Sequence, residues 1–519
     1  MESRSSLARA SARAFGRLTG LALVCSLLLL TAGCLPIPNI HVDLNVAPPS
    51  YRAPLDEILV DYVVRPGHPE GHTPTELNRT AYLTYSLDPE PEVIVLLVPG
   101  IFGGAGSFDT LARQLVASTP GMEVWALDRR SNLLEDRSAM ERAIALRDPR
   151  IAYDYYLERW GEEDGFNLPS FEDVSYLRYW GLEVHLRDLH GVVLDARARA
   201  PNLILGGHSL GAALVSLYAA FDSSRDDTGR DDTALNEERR YGYQYIDGMV
   251  LLDGALGRTG GFARQDIGYA VGPLTLAPSV SDLEAGRGAP YSNSVISPRF
   301  QIEREVAALL ARFVPQENAP SKLADFPMSN EALMGVRNDD EYGSVPMFDA
   351  TLGHAVGAEF QGNLGAVILS GLEGIYSRSV TGVAPGFERV TWAPGDPERE
   401  RTDLDSFVRS WTLAQTNRSE WYFPLRLVLD MTLLDPALDD SPLFLPNRLV
   451  PVPTLALGAG RGLIPTLNGM RTYANIRYGS AITAYVLPGL THIDIVSARA
   501  NPVVPILQRW IAFFTREPS

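Results

Sequence analysis

The feature that most constrains this chain is a serine flanked by glycines where a predicted strand meets a predicted helix. The stretch reads "LILGGHSLGAALVSL", and its centre, Gly207 to Gly211, fits the pattern G-x-S-x-G. Glycines at both ends allow a sharp turn that side chains would block. Such a turn places the hydroxyl of Ser209 at a helix N-terminus, where it is exposed. The alternative, a chance match of five residues, is disfavoured by the apolar run before the motif and the small-residue helix after it.

Strand and helix patterns alternate through much of the chain, which predicts a doubly wound, mostly parallel sheet covered on both faces. Short apolar runs such as "EVIVLLVPG", "MEVWALD", "GMVLLDGALG", "VPTLALGAG" and "AITAYVLPG" are typical of buried strands. The earlier runs "EILVDYVV" and "TAYLTYSL" are predicted to form an antiparallel edge. Helices are predicted over Ser107 to Ser118, with a serine cap, over Val174 to Ala200, and over "VVPILQRWIAFF".

Two long segments interrupt this alternation. The segment 131–171 is polar and aromatic, and the stretch between the strands at Val250 and Val452 contains helix-like patches such as "QIEREVAALLARFV". Structureless loops of such length are uncommon inside a domain. We therefore predict a mainly helical cap domain at 259–449, inserted between two parts of the core at 55–258 and 450–519.

Taken together, these segments resemble the α/β-hydrolase superfamily, in an esterase- or lipase-like branch with a large cap, over about 92–255 and 452–514. The segment "VLLVPGIFGGAG" resembles the superfamily's oxyanion loop, although Pro99 stands where a histidine is usual. The resemblance implies that the N–H groups of Leu210 and Ile101 would bind an oxyanion, with Phe102 as the alternative to Ile101. "MEVWALDRRSN" resembles the strand that ends in Asp-x-Arg-Gly, which implies a structural role for Asp128.

The segment "AYVLPGLTHIDIV" resembles the superfamily's C-terminal histidine segment, which implies that His492 is the general base. The carboxylate partner is less obvious, because the loop that usually holds it, Gly458 to Gly462, has no acidic residue. Some members of the superfamily place the acid one strand earlier, and here that strand ends in Asp253. Asp253 is the predicted partner, and an acid of the cap, Asp430 or Asp435, is the alternative.

The resemblance implies a serine hydrolase that cleaves carboxylic esters through an acyl-enzyme made by Ser209, His492 and Asp253. A lipid-like substrate is favoured by the cap residues Trp421, Tyr422, Phe423 and Leu427, which could equally be cap core. No cofactor or metal is expected: "GIFGGAG" does not follow G-x-G-x-x-G, and the histidines show no metal-ligand spacing. Two alternatives are a peptidase of the prolyl-aminopeptidase type and a non-enzymatic surface-binding lipoprotein.

The N-terminus is predicted to be a lipoprotein signal peptide over 1–33. Four arginines precede an apolar run that ends in "TAGC", which resembles a bacterial lipobox with Cys34 as the lipidated residue. A Pro-rich tether, 34–54, would follow. The expected location is the bacterial cell envelope, at the outer membrane because Leu35 rather than aspartate follows the cysteine. An ordinary signal peptide or a membrane anchor is the alternative.

Charge excludes one class of partner. The formal charge is −18 and no long basic run occurs, so a nucleic-acid partner is not expected. Of the two cysteines, Cys25 lies in the predicted leader and Cys34 follows it directly, where it would carry lipid. The mature chain would then have no disulfide and would depend on its hydrophobic core.

Overall fold

The computed structural model describes residues 46–224, 239–254, 269–271, 274–293, 296–343, 346–362, 378–433, 443–445, 449–466, 477–478 and 482–512. The predicted leader, Cys34, most of the tether and Asp435 lie outside the described residues. None of the described helices combines the length and the apolar character needed to span a membrane.

The described strands are numbered along the chain. They are β1 (Leu59–Pro66), β2 (Arg79–Ser86), β3 (Val93–Val98), β4 (Met122–Asp128), β5 (Asn202–His208), β6 (Gly248–Leu252), β7 (Tyr269–Val271), β8 (Leu274–Ala277), β9 (His354–Val356), β10 (Ala358–Gly362), β11 (Arg378–Val383), β12 (Thr391–Ala393), β13 (Leu449–Val450), β14 (Thr454–Ala459), β15 (Arg477–Tyr478) and β16 (Ile482–Leu487).

Eight of these strands form one sheet in the order β1-β2-β4-β3-β5-β6-β14-β16. The pairs β1–β2 and β2–β4 are antiparallel, and all the remaining neighbours in this sheet are parallel. The sheet is therefore mostly parallel with an antiparallel edge, as predicted. This strand order is that of the α/β-hydrolase fold, so the fold prediction is confirmed.

The central strand β3 shows why apolar runs form this sheet. Ile94, Leu96 and Val98 belong to one hydrophobic cluster, whereas the alternate residues Val95 and Leu97 belong to another. Successive side chains of a strand point to opposite faces, so a strand buried on both faces must be apolar throughout. The helices Leu182–Arg199 and Leu210–Ala220 contribute to the first cluster, and the helices Asp109–Ser118 and Val503–Ile511 contribute to the second.

Two local predictions were wrong. The helix that starts at Asp109 is not capped by Ser107, whose hydroxyl instead donates to the carbonyl of Arg418 at 2.9 Å. The long helix begins at Leu182 rather than Val174, because Gly181 adopts an extended conformation before it. Both N-terminal errors arise where contacts with distant residues decide the backbone conformation.

The two interrupting segments fold together. The helices Ser138–Leu146 and Arg150–Tyr153 share a hydrophobic cluster with the helices Pro298–Phe313, Asn330–Asn338 and Leu404–Trp411. Two-stranded ribbons accompany these helices: β7 pairs with β8, β9 with β12, and β10 with β11. The described part of the insertion is thus a mixture of helices and short ribbons with a core of its own.

Candidate active site

Ser209 sits on a strained turn between β5 and the helix Leu210–Ala220. Its φ and ψ angles are 58° and −122°, a combination that non-glycine residues rarely adopt. Holding such a conformation costs on the order of 1–3 kcal/mol, which the surrounding structure must offset. The turn places the Ser209 side chain at the helix N-terminus, where the helix dipole favours negative charge.

Glycines allow the surrounding chain to approach this turn closely. A Cβ atom on Gly207 would lie 2.2 Å from the carbonyl oxygen of Gly211, and one on Gly211 would lie 2.0 Å from that of Val98. One on Gly254 would lie 2.2 Å from the carbonyl oxygen of Ser209. These separations are far below van der Waals contact. The glycines of the sequence motif are therefore required by the packing of the turn.

The predicted oxyanion donors lie beside Ser209. A Cβ atom on Gly100 would be 2.9 Å from the Cβ of Ser209, so the loop that starts there adjoins the serine. Among the described residues, the N–H groups of Ile101, Phe102 and Leu210 make no hydrogen bond. Phe102 also has a φ of 57°. Three free donors near the serine hydroxyl could receive a developing oxyanion.

His492 and Asp253 are in contact. Nδ1 of His492 lies 2.6 Å from Oδ2 of Asp253, and both residues are buried. Because an ionised carboxylate can only accept, this bond fixes the proton on Nδ1 and leaves Nε2 as an acceptor. The structure thus brings together the two residues that the sequence placed on different strands, 239 positions apart.

The loop without an acidic residue has a different role: it holds Asp253. Oδ1 of Asp253 accepts hydrogen bonds from the N–H groups of Ala459 and Ile464, at 2.9 and 3.0 Å. Oδ2 accepts one from Leu463 at 2.8 Å in addition to the His492 bond. With φ of 40°, Asp253 turns out of β6 towards this loop. Four donors satisfy the oxygens of this buried carboxylate and fix its orientation.

Three other carboxylates, those of Asp430, Asp494 and Asp128, form their hydrogen bonds with residues other than His492. Asp430 forms an ion pair with Arg426 and accepts from the N–H of Leu182. Asp494 accepts four hydrogen bonds, from Thr351, Thr402 and Thr491. Asp128 accepts from Ala105 and Tyr62, and burial raises its pKa to about 6. None of these three described carboxylates bonds to His492.

His208, the residue before the serine, also contacts His492. Its Nε2 lies 2.9 Å from the carbonyl oxygen of His492, and the two rings lie 4.3 Å apart. Burial and the neighbouring His492 hold the pKa of His208 well below 6.5, so it is a neutral donor. No hydrogen bond joins Ser209 Oγ to a ring nitrogen of His492 within the described residues. Catalytic hydrogen bonds are often long without substrate.

The insertion covers His492. The N–H of His492 donates to the carbonyl of Met347 at 2.9 Å, and the ring of Phe348 meets the imidazole edge to face at 5.2 Å. His492 and Ser209 are only 4% and 5% exposed. Sequence patterns did not identify these contacts, because nothing local marks Met347 or Phe348 as neighbours of a residue so distant in the chain.

The aromatic segment expected to favour a lipid-like substrate is core. Trp421 and Tyr422 are buried in the cluster of the insertion, and Phe423 and Leu427 are buried in the cluster of the sheet. The segment therefore joins the two cores, which was the alternative considered from the sequence. Partly exposed apolar side chains occur instead at Ile101 and Phe102 of the loop that adjoins Ser209, at Leu210, and at Phe348, which contacts His492.

Gly462 offers a test of how Asp253 is held. A Cβ atom at this position would lie 2.3 Å from Oδ2 of Asp253. We expect Gly462→Ala to displace the carboxylate and to lower kcat by about 100-fold, because small displacements of catalytic groups have effects of that size. Gly71→Ala is the matched control, since a Cβ atom there would meet nothing within 4 Å. Equal kcat values for the two variants would contradict the role given to this loop.

Comparison with known proteins yields similarity of overall structure only. No family model and no curated protein matches the sequence. Solved structures that match include a candidate lipase from Sulfolobus solfataricus, with 13% identity, a TM-score of 0.47 and coverage of 91% of this chain and 97% of that one. A peroxisomal α/β-hydrolase from Saccharomyces cerevisiae matches with 10% identity, a TM-score of 0.41 and coverage of 89% and 92%. An epoxide hydrolase from an endophytic Streptomyces matches with 14% identity, a TM-score of 0.36 and coverage of 88% and 96%.

Proposed function

We propose that this chain is a serine hydrolase that cleaves carboxylic esters through an acyl-enzyme. The observation that carries the proposal is the 2.6 Å contact between Nδ1 of His492 and Asp253, beside a serine held on a strained turn. A nucleophile, a base and a group that orients the base are the components that acyl transfer requires. The sequence motif at Ser209, the strained turn that holds it and the contact between His492 and Asp253 support this assignment.

In the proposed reaction, Oγ of Ser209 attacks the ester carbonyl while Nε2 of His492 takes its proton. The imidazolium that forms is stabilised by Asp253, which stays ionised. The oxyanion is bound by the N–H of Leu210 and by that of Ile101 or Phe102. The imidazolium then protonates the leaving alcohol. Water, deprotonated by His492, attacks the acyl-enzyme and releases the carboxylic acid.

An apolar acyl group fits the surroundings of Ser209 best. Ile101, Phe102, Leu210 and Phe348 are apolar and partly exposed, and apolar contacts of this kind favour hydrocarbon over charged substrates. We therefore expect p-nitrophenyl esters to be hydrolysed with kcat/KM rising as the acyl chain lengthens from acetyl to octanoyl. Aminoacyl p-nitroanilides are the comparison series.

Faster cleavage of the aminoacyl p-nitroanilides than of every ester would instead favour the prolyl-aminopeptidase alternative. Hydrolysis of neither series, at enzyme concentrations that give full labelling of a control serine esterase, would favour a non-enzymatic binding protein. A ratio of kcat/KM values between the two series thus separates the proposed ester hydrolase from both alternatives.

We further propose that Cys34 anchors the chain to a bacterial membrane through lipid, with sorting to the outer membrane. The support is the order of a basic segment, an apolar segment, small residues and a cysteine. Cys34→Ala should move the protein from the membrane fraction to the soluble fraction, because several acyl chains are lost together. Cys25→Ala is the control and should leave fractionation unchanged. An unchanged membrane fraction for Cys34→Ala would contradict lipidation at this residue.

A further inference from the structure

Three buried acidic residues of the insertion lie close together. Asp339 and Asp340 follow the helix Asn330–Asn338, and Glu400 comes from a distant turn of the insertion. One carboxylate oxygen from each lies within 4.8 Å of those of the other two. The three residues are 0%, 4% and 7% exposed. Like charges so close together and so poorly hydrated repel one another strongly.

Two of these carboxylates have oxygens without a hydrogen-bond partner. Oδ1 of Asp340 and Oε2 of Glu400 are buried and have no hydrogen-bond partner in the part of the chain that the structure describes. Buried polar atoms are nearly always paired in proteins, so two orphaned oxygens in one cluster need an explanation. Asp339 differs, because its oxygens accept from the N–H groups of Glu341, Leu352 and Gly353.

The nearby cations neutralise the cluster only in part. Arg461 forms an ion pair with Oδ2 of Asp340, and Nε of Arg399 lies 3.7 Å from Oε1 of Glu400. Neither arginine forms a salt bridge with Asp339 in the described part of the chain. Two arginines thus face three carboxylates, and the cluster keeps an excess of negative charge.

We propose that Asp339, Asp340 and Glu400 bind a hard divalent cation, calcium or magnesium. Both ions prefer oxygen ligands and are bound in proteins by carboxylates together with carbonyl oxygens and water. A cation between the three residues would give the orphaned oxygens of Asp340 and Glu400 a partner and would offset the mutual repulsion. The site is separate from Ser209, His492 and Asp253, and it stands whether or not the proposed ester hydrolysis is correct.

The site would also stabilise the contacts that cover His492. The N–H of Asp340 donates to the carbonyl of Ala350, and the carboxylate of Asp339 accepts from the N–H groups of Leu352 and Gly353. Met347 and Phe348, which contact His492, lie between Asp340 and Ala350 in the sequence. A cation bound by Asp339 and Asp340 would therefore stabilise the position of Met347 and Phe348 against His492.

The test measures metal content and thermal stability of the purified full-length protein. The protein is first dialysed against EGTA and EDTA. Melting curves are then recorded with chelator, with calcium and with magnesium. Separate samples incubated with each ion are desalted, and their bound metal is measured by mass spectrometry. We expect about one equivalent of one of the two ions. We also expect Tm to rise by about 5 °C when that ion is present at about a hundred times its Kd.

Three variants make the test specific. Glu400→Gln and Asp340→Asn should lose both the bound metal and the rise in Tm, and in chelator Glu400→Gln should be at least as stable as the wild type because one repelling charge is gone. Glu398→Gln, at an exposed position two residues away, should behave as the wild type. No bound ion and an unchanged Tm for the wild type would overturn the proposal, as would an equal response of Glu400→Gln and Glu398→Gln.

Discussion

Ser209→Ala is expected to lower kcat for ester hydrolysis by about six orders of magnitude, the loss seen when a catalytic serine is removed. The hydroxyl is the only group removed. Alanine keeps the Cβ atom that Ser209 already has at this positive φ, so the substitution adds no backbone strain. The free energy of unfolding should therefore stay within about 1 kcal/mol of the wild-type value. Initial rates with a p-nitrophenyl ester, measured together with a melting curve, would check both expectations.

Ser216→Ala is the matched control for this variant. Ser216 is also buried and lies in the helix that follows the turn, where its hydroxyl donates to the carbonyl of Ala212. Its removal should leave kcat within a few-fold of the wild type. Retained turnover in Ser209→Ala would show that another residue is the nucleophile.

Asp253→Asn is expected to lower kcat by about four orders of magnitude. An asparagine amide placed against Nδ1 of His492 would donate a hydrogen bond to it, which makes Nδ1 the acceptor and puts the ring proton on Nε2. The imidazole could then no longer accept the proton of Ser209. The amide would also face the N–H of Leu463, which now donates to Oδ2. Leaving that buried donor unpaired should cost about 1–3 kcal/mol of stability.

Asp430→Asn is a suitable control, because Asp430 also combines an ion pair with a backbone N–H donor but does not bond to His492. It should lose stability while keeping kcat near the wild-type value. If Asp430→Asn abolished activity and Asp253→Asn did not, the orienting carboxylate would have to be reassigned. Steady-state kinetics on both variants after their melting temperatures are known would decide the point.

Strands, helices and the position of Ser209 were predictable from the sequence because their signals are local. A continuous apolar run such as β3 indicates a strand that is buried on both faces, and two glycines around a serine indicate a sharp turn. The order of the segments along the chain also indicated that His492 would be the partner of Asp253, which it contacts in the structure. These inferences need only neighbouring residues and the known geometry of parallel sheets.

The environment of Asp253 was not predictable in the same way. The sequence showed that an acid is missing between Gly458 and Gly462, but not that the N–H groups of Ala459, Leu463 and Ile464 bind Asp253. Nor did it show that Arg461 of this loop pairs with Asp340. Such contacts depend on the fold as a whole, and no periodic pattern in the sequence indicates them.

Labelling with a fluorophosphonate, followed by mass-spectrometric mapping of the modified peptide, would show whether Ser209 is a nucleophile activated by His492 and Asp253. We expect one adduct per chain, on the peptide that contains Ser209, formed far more slowly in Asp253→Asn than in Asp430→Asn. An adduct on any other residue, or ester hydrolysis that continues while Ser209 stays unmodified, would contradict this role of Ser209.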